Sequence, residues 1–144
     1  MTDAPATSGL FDWPQVPEAT CEPGRLCVLG APSDRGNEIA RGAALGPRTI
    51  RRASQALSLP AIRGYDDGDI EPAAAVDPAT YLHRLAGAAR RAFERGLCPL
   101  TLGGDHSITY APVSVLQERE DICLIWFDAH TDFSPWQGPA AHDH

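Results

Sequence analysis

The chain has 144 residues, 43% of them hydrophobic and 22% charged, the composition of a globular unit about one domain long. Its net charge is −7 and all 12 basic residues are arginine, so it offers no basic patch for nucleic acid. No apolar run approaches the roughly 20 residues that a bilayer span requires. Met1-Thr2-Asp3-Ala4-Pro5 also lacks the basic-then-apolar pattern of a secretory signal, which makes cytoplasmic the expected location, without a membrane partner.

In chain order, residues 1–24, with Pro5, Pro14, Pro17 and Pro23, predict an irregular leader. Residues 25–144 then alternate strand and helix. Arg25-Leu26-Cys27-Val28-Leu29-Gly30 reads as the first strand. Pro47 suits the first turn of a helix carrying Ile50, Ala53, Ala56 and Leu57 on one side. Ile62 to Ile70 is a weaker strand, interrupted by Gly64 and Gly68. Pro78 opens a second helix with Leu82, Leu85, Ala89 and Phe93 at helical spacing, and Gly96 stops it. His83 on that helix reads as a surface residue. Leu97 to Leu102 is a short buried strand, a third helix starts near Ser107, and Ile122-Cys123-Leu124-Ile125-Trp126-Phe127 is a further buried strand. Strands separated by helices call for an α/β fold, a three-layer α/β/α arrangement around a mostly parallel sheet. Cys27, Cys98 and Cys123 fall in the strand-like runs and Cys21 in a loop, without the paired spacings of a zinc site, so all four are expected to be reduced and structural.

Two clusters carry chemistry. Asp128-Ala129-His130-Thr131-Asp132 follows the last apolar run directly, and side chains two apart in extended backbone share a face, so Asp128, His130 and Asp132 project together. Acidic residues also mark ordinary strand exits, so this run alone leaves a bland alternative open. Gly103-Gly104-Asp105-His106-Ser107 follows the preceding strand, where paired glycines permit a tight turn. In an open parallel sheet the crevice beyond the strands' carboxyl ends is where ligands bind, so neighbouring strands would bring His106 and the Asp128, His130, Asp132 set into one pocket. Carboxylate oxygens and imidazole nitrogens without a nearby thiolate suit manganese or magnesium, and zinc or nickel less exclusively. A pair of divalent ions about 3.5 to 4 Å apart lowers the pKa of a shared water enough for attack at neutral pH.

Gly-Gly-Asp-His-Ser followed about two dozen residues later by Asp-Ala-His-Thr-Asp resembles the ureohydrolases, the arginase and agmatinase family. Gly30-Ala31-Pro32-Ser33-Asp34-Arg35-Gly36 and the stretch from Arg41 to Arg51 look closer to agmatinase-like members than to arginases proper. The resemblance spans residues 25 to 144 and implies the amino-terminal half of an arginase-like domain. It implies two manganese ions, His106, Asp128 and Asp132 on one and His130 on the other, with Asp128 bridging. Asp105 and Ser107 would support His106. Either His142 or His144 would match a loop histidine that serves substrate binding or proton shuttling. The implied reaction is hydrolysis of the guanidino C–N bond of a small linear substrate, releasing urea and an amine.

The family's second signature, a pair of aspartates on a later strand, has no counterpart in this sequence. Four protein ligands do not fill two sites that each prefer about six donors. The expectation is therefore a site completed by other residues, in a homo-oligomer or by a chain carrying the second half. A truncated chain, one half of a split gene and a non-catalytic remnant acting through a full-length relative all remain open at this point.

Overall fold

The computed structural model describes residues 9–17, 21–36, 41–57, 62–71, 76–119 and 121–129. Three strands, β1 (Leu26–Ala31), β2 (Gly64–Asp69) and β3 (Cys98–Gly103), form a parallel sheet in the order β2-β1-β3. β1 is central and buried along nearly its whole length, the pattern of a parallel strand covered on both faces. Its register on β3 is regular from Leu26 opposite Cys98 to Ala31 opposite Gly103, whereas its register on β2 shifts between Val28 and Gly30, beside Gly68 at φ +81°.

The helices α1 (Gly46–Ser54), α2 (Pro78–Glu94) and α3 (Tyr110–Gln117) fill the layers. α2 starts where the sequence indicates, because the Asp77 side chain accepts from the Thr80 backbone N–H at 2.9 Å and Pro78 occupies the first turn. It stops before Gly96, which takes φ +72°. On the α2 face, Cys27 and Leu29 pack with Ala88, Ala89, Ala92 and Leu97, and Ala31 packs with Tyr81, Leu85, Ile108 and Ala111. The alternating β1 position Val28 faces the other way, against Leu10 and Leu102. On that same side the Arg51 guanidinium of α1 lies over Gly30. A single 3-10 turn, His106–Thr109, precedes α3.

Three sequence expectations are corrected by the tertiary structure. The expected apolar face of α1 points outward: Ile50, Ala53, Ala56 and Leu57 are exposed, while Pro47, Arg51 and Ser54 are buried. The cause is electrostatic. Arg51 is held by two acidic residues of β2, with Nε 2.7 Å from Asp66 Oδ2, Nη2 2.8 Å from Asp66 Oδ1, and Nη1 on Asp69 Oδ1. Second, Ile122–Phe127 is not a buried strand. No ladder is assigned to it, and Phe127 is 93% and Ile125 73% exposed. Third, of the cysteines expected in strands only Cys27 is buried; Cys98 and Cys123 are exposed. All four are free, and burial, with help from the Asp67 and Asp66 charges, pushes the Cys27 thiol up to about 12, which leaves it an inert packing group.

Part of the expected leader is ordered against the sheet. Leu10–Asp12 forms one 3-10 turn, and the Leu10 N–H donates to Asp66 Oδ2 at 2.6 Å. The Phe11 N–H donates to Ser54 Oγ at 2.9 Å, and the Asp66 N–H donates to the Pro14 carbonyl at 2.9 Å. The last of these occupies one backbone group of β2 that does not face β1.

Candidate functional site

The carboxyl ends of β1 and β3 meet through one buried carboxylate. Asp105, just beyond β3, accepts from Ser33 Oγ at 2.8 Å and from the Gly36 N–H at 3.1 Å on Oδ2. On Oδ1 it accepts from the Ser107 N–H at 3.0 Å and from the Ser107 hydroxyl. Its own N–H donates to the Ser33 carbonyl at 2.9 Å. Burial alone would push this carboxyl up, but the hydrogen bonds from Ser107, Ser33 and Gly36 outweigh it and hold the group below the usual carboxylate range. Asp105 therefore ties Ser33-Asp34-Arg35-Gly36, the loop after β1, to the loop bearing His106. Sequence reasoning assigned Asp105 and Ser107 the support of His106 but did not identify Ser33 and Gly36 as the other half of the clasp. The available signal was the small-residue loop at the end of the first strand.

The glycine pair works as its chemistry suggests. Gly104 has φ +58°, and a Cβ there would stand 2.5 Å from the Ser33 carbonyl oxygen and 2.6 Å from that of Ala31, so the turn needs a residue without a side chain. The close approach brings the two loops together and sets His106 beyond the sheet end.

His106 Nδ1 lies 3.1 Å from Asp128 Oδ2. The imidazole is 66% exposed and the carboxylate 8%, so the acid is sunk in the protein and the base faces outward. Trp126 meets the His106 ring edge-on, with centroids 5.5 Å apart and an interplanar angle of 81°. The two motifs singled out by sequence thus converge at one end of the sheet. His130, Asp132, His142 and His144 lie outside the described residues. Among the described residues, no group of three or more His, Cys, Asp or Glu side chains is drawn together. His83 is exposed on α2, as expected of a surface residue.

The convergent pair fits a share of a divalent-cation site. Donors at about 2.1 Å on adjacent octahedral positions lie about 3 Å apart, and the His106–Asp128 separation is 3.1 Å. One imidazole nitrogen and one carboxylate oxygen are borderline-to-hard donors, the class that manganese accepts.

A second charged cluster stands apart from this pair. Arg51, 7% exposed, and Asp66, 3% exposed, form a bidentate pair, and Asp69 joins from a 40% exposed position. Burial opposes the Asp66 charge, yet the Arg51 hydrogen bonds and the N–H groups of Leu10 and Gly68 hold its carboxyl below the usual range. No helix is long and apolar enough to cross a membrane among the described residues.

The family model described as the arginase family matches residues 25–144. The guanidinopropionase of Pseudomonas aeruginosa is 30% identical over 141 residues, covering 90% of this chain and 44% of the relative. Among solved structures, a hypothetical agmatinase from Burkholderia thailandensis superposes with a TM-score of 0.67 at 24% identity, over 78% of this chain and 38% of that one. A Trypanosoma cruzi formiminoglutamase determined with Mn2+ superposes with a TM-score of 0.59 at 21% identity, over 66% and 35% of the two chains. The fold is arginase-like. The chain spans less than half the length of these relatives.

Proposed function

The chain belongs to the arginase family, and from that premise we propose that it carries part of the metal centre of an agmatinase-like amidinohydrolase, hydrolysing the guanidino C–N bond of a small linear substrate to urea and an amine. The observation that carries this reading is the 3.1 Å approach of His106 Nδ1 to Asp128 Oδ2 across two separate motifs. In the proposed set His106, Asp128 and Asp132 would hold one manganese ion, and His130 with Asp128 would serve the other. Manganese is supported by the oxygen and nitrogen donors and by the Mn2+ named for the Trypanosoma relative. The functional unit is residues 25–144, with residues 10–14 of the preceding leader packed against its sheet.

When bound, the divalent ions supply the Lewis acidity that brings the pKa of water toward neutrality. The chain's own residues do the positioning. Asp105 fixes the loop that presents His106, Trp126 packs edge-on against the ring, and the buried Asp128 carboxylate faces it. His142 or His144 is assigned to substrate contact or proton transfer. Four ligands leave two six-coordinate sites short of donors, so further carboxylates complete the centre. By itself the 144-residue chain should hold fewer than two manganese ions after dialysis and release no urea from agmatine, arginine or guanidinobutyrate.

The test is completion. Coexpression with the carboxyl-terminal part of a related ureohydrolase should yield a soluble, manganese-dependent assembly that hydrolyses a guanidino compound, and His130→Ala should remove most of the rate. A folded assembly that retains two ions and is inert across guanidino and formimino substrates would sink the reading and leave a non-catalytic, arginase-like chain.

A further inference from the structure

The amino ends of β1 and β2 carry a recess of about 360 Å³, lined in part by Trp13, Glu22, Arg25, Arg63, Gly64 and Tyr65. Arg25 immediately precedes β1, and Gly64 and Tyr65 open β2. The strands are parallel, so this recess lies at the opposite end of the sheet from His106, which follows the carboxyl end of β3. Its volume falls in the range of sites that hold small organic ligands.

The aromatic walls are held by their neighbours. A Cβ at Gly64 would stand 2.5 Å from the Trp13 ring, so the indole rests on backbone that only glycine leaves open. Phe11 packs against Trp13 with centroids 5.5 Å apart, and the adjacent Pro14 carbonyl accepts from the Asp66 N–H at 2.9 Å. The Tyr65 hydroxyl accepts from the Glu22 N–H at 3.4 Å, which joins β2 to the turn before β1. Glu22 is engaged by Arg25, whose Nε donates to Oε2 at 2.8 Å and whose Nη2 donates to the same oxygen. Arg63 is exposed and has no ion pair among the described residues. Two arginines against one glutamate leave one positive charge in this recess, in a chain whose net charge is −7.

We propose that this recess binds a small aromatic anion, a planar ring system carrying one carboxylate or phosphate, with the ring against Trp13 and Tyr65 and the anion on the Arg63 guanidinium. A guanidinium matches either head group through two parallel N–H donors. Aromatic walls favour a planar ring over an aliphatic one of equal size. The site uses none of the metal motifs and leaves the crevice at the carboxyl ends free, so it stands independently of the amidinohydrolase reading. Trp13 belongs to the leader and Tyr65 to β2, so an occupant also clamps the leader to the sheet and stabilises the folded chain by mass action.

Titration of the nitrogen-15-labelled full chain, followed by NMR at the Trp13 indole N–H, tests the proposal. The probes are 2-naphthoate, 2-naphthyl phosphate, 2-naphthalenemethanol and cyclohexanecarboxylate; the first two separate a carboxylate head group from a phosphate. At least one naphthyl anion should shift the Trp13 resonance with a Kd of about 1 mM or tighter, the value for a ligand of this size at ordinary efficiency. The uncharged alcohol should bind about tenfold more weakly, and the non-aromatic acid about threefold more weakly. Arg63→Gln should weaken the naphthyl anion about tenfold and leave Tm unchanged, because the side chain is exposed. Arg52→Gln, at another exposed arginine, should bind as the wild type does. No Trp13 shift with either naphthyl anion at about 10 mM overturns the proposal. Equal binding of the alcohol, or unchanged affinity in Arg63→Gln, reduces the recess to an apolar contact and overturns it as well. A shift confined to Trp126 places the ligand beside His106 and has the same consequence.

Discussion

Replacing Ser33 by alanine isolates the clasp that joins the two loops of the candidate site. The hydroxyl donates to Asp105 Oδ2 at 2.8 Å, and both residues are buried, at 3% and 4% exposure. A hydrogen bond to a charged acceptor contributes about 1.5–3 kcal/mol, and burial removes the water that would replace it. Asp105 keeps its other three bonds, from the Gly36 and Ser107 N–H groups and the Ser107 hydroxyl, so the acid is weakened and not stranded. The expected loss is therefore about 2 kcal/mol in urea unfolding, or a fall in Tm of roughly 4–8 °C for a chain of this size. Asp105→Asn offers a complementary change, since one amide NH2 must then face two donors. The Ser33→Ala/Asp105→Asn double variant should lose less than the sum of the singles, with a coupling of about 1 kcal/mol or more. Additive losses, or a Ser33→Ala cost below about 0.5 kcal/mol, would show that the 2.8 Å bond does not hold the loops together.

Arg51→Met should cost about 3–5 kcal/mol in the same unfolding assay, because it strands the buried Asp66; Asp69, 40% exposed, adds little to that figure. The Asp66 carboxyl is held below its ordinary value when folded, so its stabilising contribution is full above the ordinary carboxylate pKa and is lost as pH falls through the lowered one. Asp66→Asn should accordingly flatten the stability profile below about pH 4, and an unchanged acid limb in that variant would contradict the assignment. Asp128→Asn should weaken manganese binding measured by calorimetry, since the carboxylate facing His106 loses its charge; equal affinity would place the cation elsewhere. Gly104→Ala should destabilise the turn, because its Cβ would collide with the Ser33 and Ala31 carbonyls at a positive φ, and thermal unfolding at wild-type temperature would refute this.

The sequence by itself determined the order of β1, β2, β3 and the helices between them, and the limits of α2, because each of these is a local property. A proline and a capping aspartate start a helix, a glycine with positive φ ends it, and a glycine with positive φ turns the chain sharply after β3. The meeting of His106 with Asp128 was expected from two motifs that each follow an apolar run; the structure brings them together although residues 122–127 form no strand of the sheet. Tertiary structure alone decided which face of α1 turned inward. Helical periodicity pointed to Ile50 and Ala53, but two aspartates of β2 claimed Arg51, and an ion pair between distant elements leaves no trace in the period of one helix. Tertiary structure alone also decided the state of residues 122–127, whose composition is that of a buried strand and whose side chains face solvent. Strand propensity states what a segment does once neighbours cover it, and burial is supplied by those neighbours.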